Sequence, residues 1–366
     1  MRYTGKILLA VGAAGMMAAG SATPSNAAYY DGKTITFIIG ASAGGGLTRA
    51  GRMFGRHMDD HIAGKPNIII KNLTGAGGNK ARNFVYSKAR PDGLTLHWGT
   101  MNPLGPLLKA KGARYDPAKF ILIGAGDTTY FTLARTDTGK GLKKATQLMT
   151  AGGLIVGGRA PTTNLDLYSR APLKMLGLKH RYVPGYRGQA KMNPALLSKE
   201  INMLTTGNGG YGGFYQNTIL KDGTAVGLFY HTAIDENGKA KRYPGLYGDA
   251  VHFLDFYKTV KGTDPSGPMW EAYKWISKFG IWPFMLVAPP GTPDEAVADL
   301  RKAFVATGKD PKFIADYKKS VGPVPNWASA KNSQWLMTDY KKVSAMTLKG
   351  LKEVTSVPGG RKKKKK

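Results

Sequence analysis

Apolar and polar positions come in blocks along the chain that predict strands and helices in turn. Residues 34–39 form a short β-branched, apolar run, and residues 67–71 form a second one. Between them, Phe54, Met58 and Ile62 lie at i, i+4 and i+8, the spacing of one buried helical face. A strand, a helix and a second strand therefore open the fold.

The same order of strand, loop and helix continues further along the chain. Such alternation is typical of a parallel sheet with right-handed crossovers. We therefore predict an α/β fold in two lobes, each a mainly parallel sheet flanked by helices. The further predicted strands cover residues 94–98, 154–156, 181–183, 202–204, 225–230 and 282–288, and the further helices cover 79–88, 164–175, 310–318 and 332–354.

One helix start carries a strong local signal. Thr292 can cap a helix, Pro293 suits its first turn, and Glu295 completes a capping box. A helix beginning at Thr292 is therefore expected after the strand over 282–288.

Glycine-rich loops follow the predicted strands in both halves of the chain. They cover residues 40–46, 74–78, 99–102 and 157–163. Ligands of open parallel sheets bind beyond the carboxyl ends of the strands, where these loops lie. A glycine loop before a helix exposes backbone N–H groups and the positive end of the helix dipole, which suits a carboxylate. The glycines alternatively serve only as tight turns.

Catalytic and nucleotide-binding motifs fit these loops poorly. Ser42 lies in a G-x-S-x-G pattern, but only one strand precedes it and the last histidine is His252, too early for a hydrolase triad. Gly46 and Leu47 stand where a P-loop needs Lys and Ser or Thr, and Lys80 replaces the last glycine of a dinucleotide fingerprint. We expect no cofactor and no enzymatic activity, and an exported hydrolase using Ser42 is the alternative.

The composition limits which metal sites and which partners we expect. The 366 residues include no cysteine and six histidines. Thiolate metal sites are therefore excluded, and the pair His57 and His61, which lacks a zinc-protease Glu, is expected at the surface. The formal net charge of +30 attracts anions. Since the charges are scattered, nucleic acid is not expected as a partner.

The two ends of the chain carry a predicted export signal and a predicted basic tail. Arg2 and Lys6 precede an apolar stretch over 7–19, and small residues end at Ala27, which predicts a cleaved signal peptide over 1–27 and export to the periplasm. Residues 358–366 predict a disordered basic tail, with weak contact to an anionic membrane surface as an option. A basic envelope-binding protein with no solute is a third interpretation.

Five segments, in order, carry a family resemblance: residues 38–52, 72–79, 91–100, 182–200 and 286–293. Together they resemble the receptors of tripartite tricarboxylate transporters. The resemblance implies a type II-like periplasmic binding protein whose lobes are joined by crossing strands and close by a hinge. It also implies delivery of a small organic carboxylate to an integral membrane permease with a large and a small subunit.

The resemblance and the loops together predict the domains and the site. The lobes are expected over 28–134 with 275–357, and over 135–274. Leu47 and Thr48 stand where the family usually has an acid, and Tyr211, Phe214 and Tyr215 could stack on an aromatic acid or simply pack. The predicted ligand-binding residues are Ala41, Ser42, Ala43, Gly44, Gly45, Gly46, Thr48, Thr74, Gly75, Gly77, Gly78, Asn79, Thr100, Asn102, Arg159, Thr162, Thr163, Asn164, Tyr186 and Thr206.

Overall fold

A computed structural model describes residue 1, residues 28–235 and residues 237–357. The predicted signal peptide and the basic tail lie outside these residues, apart from Met1 itself. The strands of the described part, in chain order, are β1 (Thr34–Ile39), β2 (Asn67–Asn72), β3 (Thr95–Trp98), β4 (Ile121–Gly126), β5 (Tyr130–Arg135), β6 (Leu154–Gly157), β7 (His180–Val183), β8 (Met203–Gly207), β9 (Ala225–His231), β10 (Val251–His252), β11 (Phe284–Ala288) and β12 (Trp327–Ser329).

Helices follow most of these strands. Short 3-10 turns cover Asp59–His61, Ala76–Gly78, Pro117–Lys119, Ala145–Gln147 and Asp339–Lys341, and a π-helical turn covers Tyr211–Tyr215. The α-helices of the described residues are α1 (Gly46–Met58), α2 (Asn79–Ser87), α3 (Leu104–Leu107), α4 (Leu148–Ala151), α5 (Asn164–Met175), α6 (Gln189–Leu197), α7 (Asn208–Gly210), α8 (Phe253–Lys261), α9 (Gly267–Gly280), α10 (Asp294–Lys309), α11 (Pro311–Ser320), α12 (Ala330–Ser333), α13 (Trp335–Thr338) and α14 (Ala345–Thr355).

The strands form two six-stranded sheets, which confirms the two-lobed α/β fold. The first sheet has the order β12-β4-β11-β3-β1-β2, and the second has the order β10-β9-β5-β8-β6-β7. Both sheets are mixed. Strands β1, β2 and β3 are parallel, whereas the returning strand β11 is antiparallel to β3 and β4. In the second sheet β6, β7 and β8 are parallel, and β5 runs antiparallel to β8 and β9.

The chain passes between the sheets at two adjacent points. Residues 127–129 connect β4 to β5, and residues 281–283 connect α9 to β11. The two crossings are hydrogen-bonded, since the Thr128 amide donates to the Ile281 carbonyl over 2.9 Å. The lobe boundaries at 134/135 and 274/275 stay a prediction.

The chain passes between the lobes a third time, between β12 and α14. Helix α14 packs against α9 and α5, and at Gly350 a Cβ would clash with the Pro268 carbonyl oxygen. The Arg170 guanidinium also donates to the Ser356 carbonyl over 2.7 Å. The last helix is thus tied to elements of the second lobe, although the strand β12 that precedes it belongs to the first sheet.

Two predicted helix boundaries were wrong. Helix α10 begins at Asp294 with Pro293 as its N-cap and no side-chain cap, and the Thr292 hydroxyl donates to the Pro289 carbonyl over 2.9 Å. The long helix predicted over 332–354 is broken into α12, α13, a 3-10 turn and α14.

Candidate functional site

A cavity of about 90 Å³ lies between the lobes, beside both crossings. Its wall takes residues from β-strand ends and helix starts of both sheets. Ten of the predicted binding residues line it: Ala41, Ser42, Gly45, Gly46, Gly77, Thr100, Asn102, Arg159, Thr163 and Asn164.

The other predicted residues surround the cavity without lining it. Ala43 and Gly44 are exposed at the tip of the first loop. Tyr186 points away, and its hydroxyl donates to Glu200 over 2.5 Å. The remaining ones, which support the loops from behind or lie beside them, are Thr48, Thr74, Gly75, Gly78, Asn79, Thr162 and Thr206.

Thr48 holds the first loop in shape. Its buried hydroxyl donates to the Ser42 carbonyl over 2.9 Å and accepts from the Asn72 amide over 2.9 Å. The same Asn72 amide donates to the Ala41 carbonyl over 2.7 Å. An uncharged residue at position 48, where the resembled family usually has an acid, therefore serves as a support of the loop.

Two helices of opposite lobes begin at the cavity. Helix α1 begins at Gly46 behind Gly45, and α5 begins at Asn164 behind Thr163; neither start has a side-chain cap. The Thr163 hydroxyl donates instead to the Ala160 carbonyl over 2.8 Å. The first amides of a helix have no intrahelical acceptor, so both starts present N–H groups and positive dipole ends to one space.

The second glycine loop brings in an arginine that the sequence analysis missed. Gly77 and Gly78 adopt left-handed φ angles of 63° and 88°, which turn the chain into α2. The buried Arg82 of α2 donates to the Thr100 carbonyl (2.8 Å), the Gly77 carbonyl (3.0 Å) and Asn79 Oδ1 (2.7 Å). It thereby joins the second and third loops and lines the cavity.

Arg159 reaches the same place from the second lobe. Its guanidinium donates across the cleft to the Gly40 carbonyl. A Cβ on Gly78 would lie 3.1 Å from Arg82 Nη1 and 3.5 Å from Arg159 Nη2, so the two guanidinium groups flank one glycine. Burial lowers the pKa of Arg159, while the neighbouring Asp166 acts in the opposite direction.

Asp166 stands behind this wall as part of the loop over 157–163. Its carboxylate accepts the amides of Arg159 (2.6 Å) and Ala160 (2.9 Å) and the Tyr182 hydroxyl (2.5 Å). Burial raises the pKa of Asp166, and these hydrogen bonds oppose that rise. Among the described residues, no Asp or Glu lines the cavity itself. The lining therefore carries the positive charges of Arg82 and Arg159 without a facing acid.

The lobes touch through glycines. A Cβ on Gly46 would lie 2.9 Å from the Gly210 nitrogen, and a Cβ on Gly77 would lie 2.7 Å from Thr163 Cγ2. Likewise, a Cβ on Gly188 would lie 2.5 Å from Ser42 Oγ. These three contacts join opposite lobes at distances that no side chain could occupy without a shift.

The structure also decides between the roles considered for three aromatic residues and two histidines. Tyr211 and Tyr215 pack in the core of the second lobe, and with Phe214 they lie outside the cavity wall, so they do not form a stacking surface there. His57 is buried, contrary to the expected surface position, with Nε2 at 3.1 Å from Asp316. His61 pairs with a different carboxylate, Asp310.

Ser42 lacks the geometry of an activated nucleophile. Its Oγ is buried at the cavity wall and has no hydrogen-bond partner within the described part of the chain. A serine nucleophile needs a base within hydrogen-bonding reach, and here no imidazole takes that place.

Two further kinds of feature are not found over residues 28–235 and 237–357. There is no group of three or more His, Asp or Glu that could hold a metal ion. There is also no helix long and apolar enough to cross a membrane.

Solved structures share this fold. No protein-family model matches the sequence, and no curated protein matches it. The periplasmic binding protein BugD is 19% identical with a TM-score of 0.65, over 88% of this chain and 97% of that one. MatC from Rhodopseudomonas palustris, with bound malate, is 18% identical with a TM-score of 0.62 (88% and 99%). A TctC solute-binding protein from Polaromonas is 18% identical with a TM-score of 0.52 (86% and 98%).

These likenesses identify the architecture. The chain has the two-lobed α/β fold of periplasmic binding proteins, and it spans nearly the whole length of the structures it matches. The predicted resemblance to receptors of tripartite tricarboxylate transporters is confirmed at the level of fold. Function still has to be argued from the cavity, because a shared fold hosts many activities.

Proposed function

We propose that this protein is an extracytoplasmic receptor that captures a small carboxylate between its lobes and delivers it to an integral membrane permease. The observation that carries the proposal is the cavity wall. It combines the uncapped starts of α1 and α5 with Arg82 and Arg159, and it takes no acid from the described residues.

An anion fits this wall for two physical reasons. Helix-start amides bind anions without side-chain chemistry. Guanidinium groups form charge-assisted hydrogen bonds to carboxylates that are shorter and stronger than neutral ones. Since both kinds of donor come from both lobes, a bound carboxylate would favour the closed arrangement of the lobes. Binding would thus shift an open–closed equilibrium without any chemical step.

Delivery and location are the finer parts of the proposal. A permease with a large and a small subunit is supported by the sequence resemblance and by the shared fold with a TctC solute-binding protein. A periplasmic location is supported by the predicted signal peptide over 1–27. The bound molecules named for the relatives, such as malate in MatC, make organic acids the first solutes to test.

The test starts from protein purified from the periplasm. Mass spectrometry of the small molecules released on denaturation should find an organic acid, and a thermal-shift screen of organic acids should raise the melting temperature with the same compound. A ligand bound only by the native state must stabilise it, by about 2.7 kcal/mol at a hundredfold excess over Kd. A screen of mono-, di- and tricarboxylates and aromatic acids without any shift would sink the proposal.

A further inference from the structure

Two buried polar side chains of the first lobe face the cavity beside Arg82. His97 lies in β3 and is 1% exposed, and Asn102 ends the third loop and is 2% exposed. Both line the cavity. His97 Nε2 and both amide atoms of Asn102 find no hydrogen-bond partner in the part of the protein that the structure describes.

The hydrogen-bonding role of His97 is fixed by its other ring nitrogen. Nδ1 lies 3.0 Å from the Ile38 carbonyl, which can only accept, so Nδ1 carries the proton. Burial, with the charge of Arg82 as a second cause, lowers the pKa of His97 to about 3, while the Ile38 and Thr100 backbone beside the ring acts in the opposite direction. The ring is therefore neutral near pH 7, and Nε2 presents a lone pair.

A glycine leaves that lone pair open. Gly99 lines the cavity with a φ of 148°, and a Cβ at this position would lie 3.3 Å from His97 Nε2. Asn102 has a left-handed φ of 39°, and its carbonyl accepts from the Tyr115 hydroxyl over 2.9 Å. Its backbone is thus held while its amide stays free to donate and accept.

The free atoms define the group that would complete them. His97 Nε2 needs a donor, and the Asn102 amide needs both an acceptor and a donor. A hydroxyl can donate its one proton to His97 Nε2 and accept from Asn102 Nδ2, because it donates once and accepts twice. Asn102 Oδ1 is then left for a further donor of the solute or for water. An ammonium group also donates, but it would be placed beside the positive charges of Arg82 and Arg159, which disfavour it.

We propose that His97 and Asn102 form a hydroxyl-recognising subsite, so that the receptor selects a hydroxycarboxylate over the same skeleton with hydrogen or ammonium in place of the hydroxyl. This inference rests on the proposed function, since it requires a carboxylate on the neighbouring donors. Sites built to hydrogen-bond a hydroxyl discriminate against analogues that lack it, because the site's own polar groups are then left unpaired.

Calorimetric titration with three matched acids tests the subsite. Succinate, malate and aspartate share one four-carbon skeleton and carry hydrogen, hydroxyl and ammonium at the same carbon. The full-length mature protein should bind malate about tenfold more tightly than succinate, as expected for one hydrogen-bonded group. Aspartate should bind more weakly than succinate.

Two variants locate the discrimination. Asn102→Gly keeps the left-handed backbone and removes the amide, and His97→Leu removes the acceptor at similar volume. Each should lower the malate-to-succinate affinity ratio from about ten towards one, because the group that pairs with the hydroxyl is then missing. Melting temperatures of both variants report whether the fold is retained, and the malate-to-succinate ratio of a folded variant remains the measure.

The outcomes separate this inference from the proposed function. Equal binding of malate and succinate by the unaltered protein overturns the subsite and leaves the receptor standing. If the organic-acid screen selects another skeleton, the same comparison is made with and without its hydroxyl, and equal affinities again overturn the subsite. Failure of every organic acid to bind overturns the proposed function itself.

Discussion

The two walls of the cavity are built in different ways. The wall of the first lobe is a bonded polar structure, in which Thr48, Asn72 and Arg82 connect the three loops through buried hydrogen bonds. The wall of the second lobe sets four glycines, Gly188, Gly207, Gly209 and Gly210, beside the side chains of Tyr130, Asn164 and Gln189. Its one long cationic side chain, Arg159, reaches across to the first lobe.

This difference suggests a division of labour. A rigid polar wall can hold a solute while the lobes are apart, because its donors are already positioned. The glycines of the second wall can bring their backbone close to that solute, because they carry no side chain. We therefore expect the first lobe to set which solute binds and the second lobe to set whether the lobes close.

Blocking the closing contact should have the largest effect. Gly46→Asp places a Cβ where the Gly210 nitrogen lies 2.9 Å away and adds a negative charge at the start of α1. We expect affinity for the native solute to fall by at least about a hundredfold, roughly 2.7 kcal/mol. Titration measures the loss, and a melting temperature near that of the unaltered protein shows that the fold remains.

Gly44→Ala is the matched control for this experiment. It changes a glycine of the same loop, but its Cβ would lie 3.6 Å from Ala190, an ordinary contact distance. Affinity should stay within about twofold. An equal loss in Gly44→Ala would mean that the loop tolerates no substitution, and the argument from lobe closure would fail.

The two arginines of the cavity compare the walls directly. Arg159→Ala should weaken binding by about tenfold or more with little change in stability, because the one hydrogen bond of its guanidinium to the described residues crosses between the lobes. Arg82→Ala should weaken binding and also lower the free energy of unfolding by about 1–3 kcal/mol. It would remove the guanidinium that donates to the Thr100 and Gly77 carbonyls and to Asn79 Oδ1.

Titration and urea unfolding of both variants separate the two effects. Arg187→Ala, which removes an exposed arginine of the second lobe, is the control and should change neither. If Arg159→Ala destabilises the protein as strongly as Arg82→Ala, the two walls do not differ in the way described.

Stability towards acid should be shared by both lobes. Burial lowers the pKa of His97 in the first lobe and of His252 in the second to about 3. As the pH falls below the ordinary value of about 6.5, the unfolded chain binds protons that the folded chain does not. The free energy of unfolding is therefore full above about pH 6.5 and falls between pH 6.5 and 3, by up to about 1.4 kcal/mol per pH unit for each histidine.

Urea unfolding between pH 7 and 4 measures this slope. His97→Leu and His252→Leu should each show a shallower fall than the unaltered protein, and comparison with that protein removes the contribution of the carboxylates. A slope unchanged in His97→Leu would show that His97 is not kept neutral by the fold.

More of the fold than of the site could be predicted from the sequence. The spacing of apolar residues and the positions of the glycine loops were enough to predict β1, α1, β2, α2 and β3, because each of these elements shows its own hydrophobic pattern. Strands β4 and β5 were not predicted. Both are almost wholly buried and show no alternation, and local pattern does not reveal that consecutive strands enter different sheets.

Contacts between loops were the other feature that local sequence patterns did not predict. Arg82 lies on a predicted helix, yet its partners Thr100 and Gly77 belong to two different loops. His97 was placed correctly in a strand, but the open face of its ring depends on Gly99. In both cases the chemistry comes from tertiary packing, whereas Arg159 was found because it adjoins a helix start.

Removing the hydroxyl of Ser42 should have the smallest effect. Its Oγ lies against Gly188 at the junction of the two walls and is satisfied by no described protein atom. Ser42→Ala should weaken solute binding by at most about 1 kcal/mol, the net worth of one hydrogen bond. Titration of the native solute checks this value. A hydrolase acting through Ser42 would instead lose its activity in this variant, so a panel of ester substrates that the unaltered protein cleaves and Ser42→Ala does not would overturn capture without chemistry.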